Sequence, residues 1–158
     1  MSQVDFSQQS DSPLFKDLAN KDIEYLSSVF TCSQVAEGKT VFIENMPGEA
    51  LYLIGQGTVQ ISQMLAEVDE QELTTLGVGD IFGEMSVIDG ESRLVTARIT
   101  ADATLYSLNR KNFTKLTSEN PHLGQQLTLN IARIFSAKIR RAKKDYRTML
   151  TASLPHRN

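Results

Sequence analysis

Cysteine is nearly absent from this sequence: among 158 residues only Cys32 carries a thiol. One thiol closes no internal disulfide and cannot alone build the thiolate cluster of a structural zinc site, which fits a reducing, cytoplasmic setting. Histidine is almost as scarce, with only His122 and His156. Metal-dependent β-barrel enzymes need several histidines and a carboxylate on neighbouring strands, and neither histidine falls on an expected strand. Ser86 therefore has no strand histidine to activate it as a nucleophile, so neither an enzyme nor a metal or other cofactor is expected. Long apolar runs are missing too, and no window approaches the roughly 18 residues of a membrane span. The opening MSQVDFSQQSDSP has neither the basic start nor the apolar stretch of a secretory leader.

What is present is enough for one core. At 17.6 kDa and 41% apolar residues, the chain suits one domain plus an appendage. The net charge of −3 conceals an asymmetry: residues 1–109 hold 5 Lys/Arg against 17 Asp/Glu, whereas residues 110–158 hold 11 against 2. An acidic body is a poor general trap for anions, so an anionic ligand would have to be held by a local set of donors.

Ser12-Pro13 reads as a helix start, with a short helix over Leu14 to Ala19, and Asn20 as the cap of a second carrying Ile23, Leu26 and Phe30. Residues 1–12 read as a flexible lead. From about Cys32 the pattern alternates, and strands are expected at Thr40–Ile43, Leu51–Ile54, Thr58–Gln63, Glu72–Leu76, Asp80–Phe82, Val95–Thr100 and Thr104–Leu108. Pro47-Gly48 and Gly55-Gln56-Gly57 read as turns. Strand starts 8 to 12 residues apart indicate an antiparallel sandwich or barrel over about 32–109. No crossover helix fits between the strands, which excludes a parallel α/β sheet.

Asn109 caps a short helix carrying Phe113 and Leu116, and Asn120-Pro121 starts a long one running to about Leu150. At 1.5 Å per residue it extends about 45 Å, more than the barrel can cover. Its first turns, at Leu123 and Leu127, suit the barrel. Phe135, Ile139, Ala142, Tyr146 and Met149 recur at intervals of four and three, a coiled-coil seam that predicts a homodimer. The domain is thus expected over 13–150, with 151–158 as a frayed tail. The basic face of Arg133, Lys138, Arg140, Arg141, Lys143, Lys144 and Arg147 reads either as solvated surface or as a match for the acidic body of a second subunit.

The informative stretch is GVGDIFGEMSVIDGESRLVTARI, residues 77–99. Gly83-Glu84 follows a strand end, and Met85 to Ile88 forms a helical turn whose free N–H groups could face an anion. Arg93 follows the Asp89-Gly90 turn, where its planar fork could close on the same guest. A phosphate fits there. A carboxylate beside it is explained if Glu84 accepts a sugar hydroxyl; otherwise Glu84 and Arg93 form an ordinary surface ion pair.

The string Phe82-Gly83-Glu84-Met85-Ser86, with Arg93 and Thr96 after the turn, resembles the phosphate-binding cassette of cyclic nucleotide-binding domains. The run Val41-Phe42-Ile43-Glu44 to Pro47-Gly48-Glu49-Ala50-Leu51-Tyr52-Leu53-Ile54, closing at Gly57, is similar to that family's first hairpin. The resemblance spans about Leu14 to Tyr146. It implies a mainly β fold, an antiparallel jelly-roll barrel with short N-terminal helices and a long C-terminal dimerisation helix. It also implies a cyclic nucleotide ligand, cyclic AMP first among them. Glu84 would take the ribose hydroxyl and Arg93 the phosphate, with backbone donors from Gly83, Met85 and Leu94. Ile61, Leu73 and Leu76 would line the pocket, and Lys138 and Ile139 would face the base from the last helix.

Three departures carry expectations of their own. Leu94 and Val95 replace small residues and crowd the phosphate, which leaves open a ligand-free dimerising scaffold of the same fold. Asn45 replaces a turn glycine and must tolerate positive φ. The helix-turn-helix of catabolite activator relatives is absent from this sequence, so the expected module is stand-alone, binds neither DNA nor membrane directly, and signals to a separate protein effector.

Overall fold

A computed structural model of the chain describes residues 4–154. Six strands form one antiparallel system: β1 (Thr31–Val35), β2 (Thr40–Phe42), β3 (Ala50–Ala66), β4 (Asp69–Leu76), β5 (Ile81–Phe82) and β6 (Thr96–Asn109). The main path runs β1-β6-β3-β4, while β2 pairs with β6 and β5 with β3. Four helices complete the fold: α1 (Asn20–Val29), α2 (Glu84–Asp89), α3 (Arg110–Glu119) and α4 (Pro121–Ser153). This is the mainly β architecture, with short helices and one long C-terminal helix, that the sequence predicts.

The centre of the sheet differs from expectation. Gly55-Gln56-Gly57 is not a turn: β3 passes through it without reversing, and β6 continues likewise where two strands are expected. The glycines instead absorb register shifts between the two long strands at Ile54/Gln56, Gln56/Thr58 and Thr58/Val59. Gly57 has φ of +84° and lies against the Asp102 and Ala101 carbonyls, so a side chain there would collide with β6 backbone. β1 is an added strand. Its segment, TCSQV, is polar and mostly exposed, and therefore lacks the alternation that marks a half-buried strand.

The N-terminal segment is also corrected. Ser12 does cap, its side chain accepting from Leu14 N–H, but the helix ends after one 3-10 turn, Pro13–Phe15, and Asp17 turns the chain with φ of +61°. Asn20 is the first residue of α1 rather than its cap, which is Ala19. Residues 4–12 are packed rather than loose: Val4 and Phe6 are buried, and the Phe6 ring contacts Phe15, Phe30 and Tyr106. Residues 1–3 and 155–158, including His156, lie outside the described residues.

Two apolar clusters result. One joins the N-terminal segment, α1, α3 and the start of α4 through Leu14, Leu26, Phe113, Leu123 and Leu127. The other fills the barrel interior around Ile54, Ile61, Phe82, Ile99 and Leu105. Asn109 and Asn120 cap α3 and α4 as predicted, accepting from Asn112 N–H at 2.7 Å and Leu123 N–H at 3.2 Å. Asn130, buried in α4, donates to the Leu14 and Lys16 carbonyls at 2.8 Å each. These contacts fix the register with which α4 leaves the core; from Ile139 to Ser153 every residue is exposed. Among the described residues no helix is long and apolar enough to cross a membrane.

Candidate functional site

The site is built where β5 ends. Gly83 adopts φ of +74°, which reverses the chain and starts α2 at Glu84. After α2, Gly90 repeats the left-handed conformation, with φ of +72°. Residue 93 is then pinned by backbone pairing: its N–H donates to Met46 O and its carbonyl accepts from Asn45 N–H, both at 2.8 Å. Asn45 has φ of +68°, the conformation required of it in place of glycine.

Arg93 is only 5% exposed. Its Nη1 donates to Gly83 O at 3.0 Å, and the guanidinium lies 4.0 Å from the Phe42 ring centroid and 5.9 Å from that of Tyr52. Stacking on aromatic faces suits a weakly hydrated planar cation. Nε is buried and, among the described residues, has no hydrogen-bond partner. Burial pushes the guanidinium below the ordinary arginine range, and Tyr52 and Glu84 oppose the shift. The group stays a cation regardless.

Glu84 is 4% exposed and does not pair with Arg93. Its Oε1 accepts from Lys138 Nζ at 2.8 Å, and the same ammonium donates to Ile81 O at 2.8 Å. The surface Glu84–Arg93 ion pair left open by the sequence is thereby excluded in this structure. Each group is buried, and among the described residues Glu84 has an ion-pair partner whereas Arg93 has none.

Between them lies a cavity of about 300 Å3. Phe42, Ile61, Leu73, Leu76 and Phe82 supply its apolar walls; Gly83, Glu84, Met85, Ser86 and Arg93 form one end, with Leu94 and Val95 beside them. α4 closes it with Phe135, Lys138, Arg141, Ala142 and Asp145. The volume lies at the lower end of the range for small-molecule sites, and mostly apolar walls with a few polar groups are typical of such sites. Gly83, Glu84, Met85, Arg93, Leu94, Ile61, Leu73, Leu76 and Lys138 are therefore together on one wall system. Ile139 is not: it is 52% exposed and lies off the cavity. One residue along a helix is a rotation of about 100°, so Lys138 and Ile139 cannot share a face.

Sequence reasoning missed Phe135, Arg141, Ala142 and Asp145. Phe135 and Ala142, expected in the dimer seam, instead line the cavity with Lys138 and Asp145, the four recurring at intervals of three and four on one helix face. A larger groove of about 640 Å3 runs between Gly48-Glu49 and the start of α3. Its cations, Arg110 and Lys111, are exposed, so an anion there would compete with bulk water.

Residues 33–120 match the family model of the cyclic nucleotide-binding domain. The cyclic AMP receptor protein of Thermus thermophilus is 33% identical over 122 residues, covering 77% of this chain and 56% of that protein. The chain spans about half the length of the curated relatives it matches. Among solved structures, the Thermus thermophilus catabolite activator protein superposes with a TM-score of 0.77 at 30% identity, over 87% of this chain and 63% of that one. A cyclic nucleotide-binding domain from Methylobacillus flagellatus gives 0.80 at 26% identity, over 94% and 82%.

Proposed function

We propose, for a chain that belongs to the cyclic nucleotide-binding domain family, that its cavity takes a cyclic mononucleotide, cyclic AMP first, and that occupancy is passed through α4 to a protein effector. The observation that carries this reading is Arg93. A buried cation without a carboxylate partner costs several kcal/mol, and an anionic guest offsets that cost. Because Lys138 already balances Glu84, the cavity's remaining inner charge is one cation, which suits one phosphodiester. Glu84 stands beside it as a hydroxyl acceptor. The similarity to the Thermus thermophilus cyclic AMP receptor protein supports the choice of nucleotide.

The scaffold alternative requires Leu94 and Val95 to fill the phosphate end. Leu94 is instead 60% exposed and the cavity remains open beside it, which favours the receptor.

A second copy of the chain is part of the proposal. With Phe135 and Ala142 turned to the cavity, the outward stripe of α4 is Leu129, Ala132, Ser136, Ile139, Lys143, Tyr146 and Leu150, spaced alternately by three and four. Leu129, Ile139, Tyr146 and Leu150 are 43%, 52%, 60% and 44% exposed. A helix about 50 Å long, with only its first half held by its own body, leaves that stripe to a matching helix.

Thermal melts with cyclic AMP test the ligand. At one hundred times the dissociation constant a ligand specific to the folded state adds about 2.7 kcal/mol, a rise of roughly 5–10 °C for a chain of this size. No rise at millimolar cyclic AMP or cyclic GMP contradicts the receptor.

A further inference from the structure

Lys138 is unusual among the basic residues of α4 because its ammonium is held by two acceptors from two elements of the barrel. Nζ lies 2.8 Å from Ile81 O at the start of β5 and 2.8 Å from Glu84 Oε1 at the start of α2. The carbonyl fixes the ammonium independently of the carboxylate, so this is a placed cation and not a swinging surface lysine.

Glu84 needs such a partner. With only 5% of its side chain exposed, the carboxylate has lost most of its contact with water, and the ammonium replaces water as its hydrogen-bond donor. The contact uses one carboxylate oxygen. A carboxylate has about four acceptor positions on its two oxygens, so Glu84 keeps capacity for a hydroxyl on the cavity wall. Arg141 also lines that wall from α4, but among the described residues the ion pair to Glu84 comes from Lys138.

We infer that Lys138 is a positioning residue for the ligand's sugar: it orients Glu84 so that the carboxylate's second oxygen accepts a ribose hydroxyl. Discrimination at the sugar then depends on where α4 lies, although the accepting atom belongs to the barrel. The inference rests on the cyclic-nucleotide reading and deepens it. It also gives Lys138 a different task from facing the base, since two of its three N–H donors are already committed to Ile81 and Glu84.

Calorimetry of cyclic AMP and 2′-deoxy cyclic AMP on wild type, Lys138→Met and Lys138→Arg provides the test, with amide hydrogen exchange of nucleotide-free α4 measured alongside. Wild type should prefer the ribose form by about tenfold or more, as expected for a hydrogen bond to a charged acceptor. Lys138→Met should reduce that preference to about twofold or less while changing deoxy affinity little, and Lys138→Arg should restore most of it. A preference that survives in Lys138→Met, an equal weakening of both forms, or equal binding of the two by wild type overturns the inference. If wild type binds neither nucleotide, the cyclic-nucleotide reading fails separately, and exchange decides the rest. Faster exchange around residues 135–145 in both Lys138→Met and Glu84→Gln supports the tie between Lys138 and Glu84; unchanged exchange overturns it.

Discussion

The α-carbon of Gly48 faces the Arg93 side chain so closely that a methyl group there would lie 2.6 Å from Nε and 2.8 Å from Cδ. Gly83 closes the other side, where a methyl would meet Nη1 at 2.6 Å. The two glycines form a slot in which the guanidinium has one position, against the Phe42 ring.

Gly48→Ala should therefore displace Arg93 without removing its charge. The expected result is a loss of cyclic AMP affinity of about tenfold or more, part of the 2–5 kcal/mol typical of truncating one member of a buried charge contact. Circular dichroism should report an intact fold. Unchanged affinity in a folded Gly48→Ala protein would show that the slot does not set the position of the cation.

Asn130→Ala tests what anchors the long helix. The side chain satisfies two carbonyls of the N-terminal segment, and removing it leaves the buried Leu14 acceptor without that donor, at a cost of about 1–3 kcal/mol. Tm should fall by roughly 3–10 °C. A melt indistinguishable from wild type would indicate that apolar contacts such as Leu123 and Leu127 alone hold α4.

Much of the cassette is legible in the sequence because its parts are close along the chain: Gly83, Glu84, the α2 turn, Gly90 and Arg93 span eleven residues. Asn45 could be read as a residue needing positive φ, and it has it. Lys138 could not be read as the partner of Glu84. That contact joins residues 54 positions apart and depends on how α4 is rotated, which the Asn130 anchor and the buried leucines decide. The same rotation explains the seam: a three-four spacing identifies a face of a helix, but not whether a barrel or a second helix covers it. Gly55 and Gly57 carry a similar ambiguity, because glycine serves a tight turn and a bulge equally well.

Rotation of α4 separates two sets of substitutions. Ile139→Glu or Tyr146→Glu, on the outward stripe, should shift sedimentation from dimer to monomer with the isolated subunit still folded. Phe135→Ala, on the cavity wall, should weaken nucleotide binding and leave the dimer in place. Dissociation by Phe135→Ala but not by Ile139→Glu would reverse the assignment of the two faces.

Tyr106 predicts an alkaline limit to stability. Its hydroxyl donates to Asp5 O at 3.2 Å, and burial first, then Cys32 and Asp5, push its pKa above the ordinary tyrosine value. Because the folded value is the higher, this contribution is complete below the unfolded pKa of about 10 and is lost as pH rises toward the folded one. In urea titrations, wild type should lose more stability than Tyr106→Phe as pH rises above about 10. Parallel losses would remove Tyr106 as the cause.

Arg93 is proposed to receive one phosphate. Isothermal titration of cyclic AMP into wild type and Arg93→Ala reads it directly. Wild type should bind saturably, and truncation should cost about thirtyfold or more in affinity. Equal affinity in the two proteins would contradict it.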